Sequence, residues 1–398
     1  MSSHDDHVAE CWCHYWPNLI VIRAGDESAA IDQVGGRQLD EGGLCRLIDG
    51  VDGDIIRQVG ELIGVVEIED ADPHGAANAL NAAGIDASPV HGMGFLGHGG
   101  FQGSAWTESD TSLGDVDSAS DAAGFVAVVD SGIVPDDDLP PWMTPDDVRS
   151  DRPVDTEHIP YRDPISHGTF VTSIVRRVTP EHVVSLASAR PDPGHLVSDD
   201  PAHEPARPPT DELNVLGAVL RLLNRHGRSD RVRAMCMALG VHVCPGDAGQ
   251  RFLALEAAVE AWTNRFPKAP IFAAAGNSQC PEPLYPAEFT NVRSVAAACE
   301  GEGTAKPGAA DGRIVVWDHG SPVPAPSRPG VTDVGPGCDV TGLSGQSEDH
   351  TVSWGGSSFA TAIVAACHAK GTYNPVSDGN GVQWWPDLTA SKSRVDGL

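Results

Sequence analysis

Positive charge is scarce in this 398-residue chain: 26 Lys and Arg stand against 56 Asp and Glu, a formal net charge of −30. Lysine is nearly missing, confined to Lys268, Lys306, Lys370 and Lys392. Such a surface repels phosphate backbones and anionic lipid headgroups, so no nucleic-acid or membrane partner is expected. The same balance fits a salt-adapted source or simply a soluble surface. Apolar runs of about 18 residues are also absent, which excludes a transmembrane helix. The acidic start MSSHDDHVAECWCHYW lacks the basic region and apolar core of a secretory signal, and a cytoplasmic location is the expectation. Regular cysteine spacing is missing too. Cys11, Cys13, Cys45, Cys236, Cys244, Cys280, Cys299, Cys338 and Cys367 are odd in number and scattered, so free thiols are expected rather than a disulfide framework. His4, His7, Cys11, Cys13 and His14 are ligand types, but their C-x-C spacing is not the usual C-x₂-C knuckle, and no metal site is assigned there.

What is present suffices for a large core. The chain is 40% hydrophobic and 21% charged, long enough for two or three domains or one α/β domain with an appendage. Its 44 Gly and 31 Pro point to many loops, and no internal repeat is visible.

The first hundred residues read as a small α+β module, residues 1–98. Strand-like Leu19–Ile22 and Val65–Ile68 make a β-rich start; a helix over Pro73–Ala83 closes at Gly84; an extended stretch Ile85–Val90 leads into glycine-rich sequence. Residues 99–123 are polar and without periodicity, a linker or an arm laid over the next domain. From Gly124 buried strands alternate with amphipathic helices, the pattern of a parallel α/β sheet. Strands are expected at Phe125–Val129, Val183–Ala189, Val232–Leu239 and Ile271–Ala275, and a helix over His167–Val178. Leu213, Leu216, Leu220 and Leu223 share one helical face, as do Phe252, Leu255, Val259, Trp262 and Phe266. The segment 190–209 reads as a surface insertion.

In such sheets chemistry gathers where strands end. FVAVVDSG places Asp130 after five apolar residues. SHGTFV puts His167 at a helix start, where the dipole favours a neutral imidazole suited to a general base. PIFAAAGNS runs a buried strand into Gly276 and Asn277, whose amide can donate to an oxyanion. SWGGSSFATAIVAA sets Ser357 and Ser358 at a helix N-terminus, where backbone N–H groups supply further donors. Taken singly, each also reads as structural: a strand-end Asp, a helix-start His, a turn Asn, a capping Ser.

Together, in the order Asp, His, Asn, Ser, the pieces VVDSG, HGTFV, AAAGN and GSSFA resemble the subtilisin-like serine proteases over Gly124 to about Lys370. The resemblance implies a subtilisin-like parallel sheet flanked by helices. It implies that Asp130 orients His167, that His167 is the base, that Ser358 is the nucleophile with Ser357 in place of a threonine, and that Asn277 joins the Ser358 N–H in the oxyanion hole. It further implies that Ala238, Leu239 and Gly240 pair with substrate as an added strand and that Ala275 and Gly276 line the specificity pocket. Residues 1–98 then match a propeptide packed on the catalytic domain, residues 124–398. The sequence departs from the family pattern at Ser131, Ala238, Gly335 and Ala362, none of which carries a reacting atom. A serine endopeptidase acting on polypeptides is the favoured function. A ligase or macrocyclase on the same triad, or a catalytically silent binding module, are the alternatives. No cofactor is expected; calcium at Asp136, Asp137 and Asp138 is the minority option.

Overall fold

Strands enclosed between two layers of helix read as unbroken apolar runs, and several segments of this chain do. The computed structural model describes residues 15–69, 72–95, 107–109, 113, 116–134, 139–151, 166–189, 210–243, 251–276, 284–300, 315–317, 330–337, 340–344, 350–377 and 383–384. In chain order these form β1 (Tyr15–Arg23), α1 (Glu27–Val34), β2 (Arg37–Gln38), α2 (Glu41–Leu47), α3 (Gly53–Leu62), β3 (Ile63–Glu67), α4 (Pro73–Ala82) and β4 (Ala87–Phe95). Next come β5 (Thr107–Glu108), β6 (Phe125–Asp130), β7 (Val148–Ser150), α5 (His167–Val178), β8 (Val183–Ser188), β9 (Thr210–Asp211), α6 (Glu212–His226), β10 (Val232–Met237), β11 (Leu239–His242) and α7 (Leu253–Arg265). The last elements are β12 (Ile271–Ala274), β13 (Leu284–Tyr285), β14 (Val292–Glu300), β15 (Val315–Trp317), β16 (Val331–Pro336), β17 (Val340–Leu343), β18 (Thr351–Trp354), α8 (Ser357–Lys370), β19 (Val376–Ser377) and β20 (Gln383–Trp384).

Among the described residues the main sheet has ten strands, in the order β19-β20-β16-β14-β12-β10-β6-β8-β7 with β15 beside β14. All but the β19–β20 pair are parallel. The chain leaves β6 toward β8 through α5, then crosses back through α6 to β10 on the other flank of β6. That reversal opens a crevice at the carboxyl ends of β6 and β10, where Asp130 lies. Side-chain alternation along β6 divides the core. Val126 and Val128 join Phe170, Ile174, Phe359 and Ile363 of α5 and α8 on one face. Ala127 and Val129 join Leu216, Leu220, Leu255 and Trp262 of α6 and α7 on the other.

A second, antiparallel sheet runs β13-β11-β4-β1-β3-β2, with β9 also on β4. Ile20 and Ile22 of β1 pack with Leu80 of α4 on one of its faces. Leu19 and Val21 turn the other way, into the cluster that holds α2, α3, α6 and α7. Gly217 permits this approach, because a Cβ there would stand 2.5 Å from the Ile48 side chain. A β-rich start was expected for this region; instead three helices, α1 to α3, come after β1. EGGLCRL and GDIIRQVGEL carry internal glycines that lower helix propensity. Asp40 and Asp52 cap these two helices, and Leu44, Ile55, Ile56 and Val59 are buried beneath them. The extended stretch also begins and ends later than expected, since β4 continues through Gly92 and Gly94. In the arm, β5 pairs with β18, and Asp117 O accepts from Arg176 of α5 at 2.7 Å. The insertion 190–209 lies outside the described residues. No helix among the described residues is long and apolar enough to cross a membrane.

Candidate active site

Asp130 closes β6 with its side chain fully buried. Its Oδ1 accepts from the Ser131 N–H at 2.7 Å and meets Nδ1 of His167 at 2.8 Å. A proton held on Nδ1 by this carboxylate leaves Nε2 as the lone-pair nitrogen. Local sequence fixes the pair. Ser131 Oγ accepts from the Gly168 N–H at 3.0 Å, and Thr169 Oγ1 accepts from the Val134 N–H at 3.0 Å, stitching the loop after β6 to the first turn of α5. Any side chain at position 168 would collide with the Gly132 carbonyl, and Gly132 itself has φ +100°. The glycines of DSG and HG therefore serve one close backbone approach. Burial, and next the nearby Asp130, push the Cys236 thiol well up from its ordinary range, so Cys236 remains a neutral neighbour.

The His167 ring is walled by Trp354, edge-on at 5.9 Å, and by Phe359 at 5.8 Å. Phe359 comes directly after Ser358, so this contact sets the N-terminus of α8 beside the imidazole. Ser358 is buried and its Oγ donates to Ala238 O at 3.3 Å. Ser357 Oγ accepts from the Gly276 N–H at 3.1 Å, which ties the loop after β12 to the same helix start. Ala275 is held by its own N–H to Val295 O at 2.9 Å. The structure thus draws Asp130, His167, Ala238, Ala275, Gly276, Ser357 and Ser358 to one end of the sheet. Asn277, next after Gly276, lies outside the described residues, as do Asp136, Asp137, Asp138 and the histidines and cysteines of residues 1–14. Leu239 and Gly240 lie in β11, opposite Phe95 and Gly94 of β4.

Residues 122–375 match the family model described as Subtilase family. The chain belongs to the subtilase family. As a subtilase it is a serine protease, and its substrate is polypeptide. Solved structures similar to it include PagA, a prenylagaramide maturation protease, at 21% identity and TM-score 0.41, with 61% of this chain and 73% of that one covered. PatA, a patellamide maturation protease, shares 20% identity at TM-score 0.41 over 64% and 78%. A lanthipeptide protease shares 15% at TM-score 0.37 over 62% and 73%. No curated protein matches the chain.

Two features of this subtilase were missed in its sequence. Trp354 stands just before the GGSS turn and could have been suspected from that place alone. His91 and Glu212 meet across 121 residues, a contact no local pattern announces.

Proposed function

We propose that this subtilase is an endopeptidase working through a covalent acyl-enzyme on Ser358. The observation that supports the reading is that Asp130, ending β6, lies 2.8 Å from His167, which opens α5, and that Phe359, next after Ser358 in the first turn of α8, packs on that imidazole. Asp130 orients the ring and stabilises its imidazolium. His167 takes the serine proton and returns it to the leaving amine, and water then releases the acyl group. The Ser358 N–H, in the first turn of α8, and the Asn277 amide receive the oxyanion. Ala275 and Gly276 line the pocket for the residue before the cut, and Ala238, Leu239 and Gly240 hold the substrate backbone as an added strand.

Residues 1–98 act in this reading as a propeptide-like module on a catalytic domain of residues 124–398, with 99–123 as the arm between them. Supporting it, β4 lies between β9 and β11, where the added strand of a substrate belongs. The deciding experiment is labelling by a fluorophosphonate, which reacts readily only with a base-activated serine. Label is expected on Ser358 and lost in Ser358→Ala; label that persists on Ser357 in that variant refutes the assignment.

A further inference from the structure

β4 enters the crevice as an extended strand held on both edges. Gly92 registers with Asp211 and Met93 with Thr210 on β9, while Gly94 registers with Gly240 and Phe95 with Leu239 on β11. At the head of this stretch the His91 side chain is completely buried against Glu212, which is equally buried. Glu212 Oε1 accepts from the His91 backbone N–H at 3.0 Å and meets Nδ1 of the ring at 2.9 Å. Oε2 accepts from the N–H groups of Ala254 and Leu255, at 3.0 and 3.3 Å, in the first turn of α7. One oxygen is therefore anchored by the catalytic domain and the other is turned toward the strand. Phe252 packs its ring 4.5 Å from that of His91 and is backed by Tyr285 at 4.8 Å. His74, 6.3 Å from His91, belongs to the same N-terminal module as His91 itself.

We propose that Glu212 and Phe252 form a specificity pocket selecting histidine in an extended peptide, at the position four residues before the one opposite Leu239. The inference rests on reading the crevice between β9 and β11 as the substrate cleft. A buried carboxylate oxygen left without donors is costly. Histidine meets the need with a single oxygen, because Nδ1 stands two bonds beyond Cβ, close enough to its own backbone N–H for both to reach Oε1. Its flat ring also fills the space against Phe252. Asparagine places a donor at the same distance but offers no ring. Leucine leaves only the backbone N–H, proline leaves none, and lysine carries its ammonium past the oxygen.

The test uses the full-length protein and fluorogenic peptides built on ASPVHGMGFL, the sequence of residues 87–96, with His, Asn, Leu, Lys or Pro at the fifth position. The tethered β4 competes equally with every peptide, so ratios of kcat/KM are the readout. The His peptide should exceed the Leu peptide by about tenfold or more, chiefly through KM, with Asn between and Pro lowest. Glu212→Gln should narrow the His-to-Leu ratio to about threefold or less; should that variant fail to fold, the wild-type series decides alone. Equal kcat/KM for His and Leu, in protein that labels with fluorophosphonate, overturns the pocket and leaves the protease reading standing. Absence of both labelling and cleavage overturns the protease reading and the pocket with it.

Discussion

Asp130 Oδ1 and His167 Nδ1 stand 2.8 Å apart with neither side chain exposed to solvent. The carboxylate thus works in a sheltered setting, where an oriented acceptor has more influence on a ring than it has in water. Asp130→Asn keeps the shape and can present an N–H to the imidazole, favouring the wrong tautomer. The variant should fold normally and lose about 10⁴-fold in kcat. Steady-state kinetics beside a circular dichroism spectrum checks this, and a loss under tenfold would remove Asp130 from the mechanism.

Gly276, the residue before Asn277, donates its N–H to Ser357 Oγ at 3.1 Å. If the amide serves the oxyanion, Asn277→Leu should lower kcat by about 10²–10³-fold and leave KM nearly unchanged, since the bond strengthens only as charge develops. Normal turnover with a lowered melting temperature would make Asn277 a turn residue instead.

His226 gives a pH dependence with a definite sign. Its Nε2 lies 2.7 Å from Ser185 Oγ, its ring packs 4.4 Å from Phe125, and burial, followed by the charges of Arg225 and Arg149, lowers its pKa to about 4. Between the unfolded value of 6.5 and this folded value, the unfolded chain binds the proton and the folded chain does not. Stability from this group is therefore complete above pH 6.5 and is lost as pH falls toward 4, by up to about 3 kcal/mol. His226→Gln, which keeps a polar group near Ser185, should flatten that part of the curve. Melting temperatures of both proteins from pH 7.5 to 4 make the comparison; parallel curves would show that His226 does not contribute.

The placement of β4 between β9 and β11 predicts a dependence of folding on residues 1–98. A parallel sheet closes long loops before its contacts form, and a preformed surface packed on α6 and α7 lowers that barrier. Residues 99–398 expressed alone should refold in poor yield and recover when residues 1–98 are added in trans, and the added piece should inhibit peptide hydrolysis. Full activity of 99–398 with no effect of the added module would make the module a separate unit.

Much of the part that matches the subtilase family was legible in the sequence because its signals are local. His167–Val178 begins at a capping Ser166 and carries its apolar residues at helical spacing, and α5 spans those same residues. β6 announces itself by five consecutive apolar residues and a polar end. The four motifs mark strand ends and helix starts, where backbone geometry and chemistry demand the same few residue types. Ser357 and Ser358 look alike in sequence; their different partners, Gly276 N–H and Ala238 O, arise only when β10, β12 and α8 meet. The N-terminal module was less legible because α2 and α3 form despite glycines, through burial against α6 that no local window contains. Gly92 and Gly94 read as loop because an isolated strand gains nothing from glycine, yet β4 has partners on both sides.

That double-edged pairing also governs what a chain break would do. While β4 is joined to the rest of the chain, its concentration at the crevice is an effective one, set by the tether and independent of how dilute the protein is. A cut between residues 95 and 107 would leave every ladder hydrogen bond of the described residues in place and change only this quantity. The strand would become a separate molecule subject to mass action, held with a residence time fixed by its dissociation rate. On the proposed reading of the module, activity would then rise on dilution, or on destruction of the freed module, and not at the moment the bond is broken.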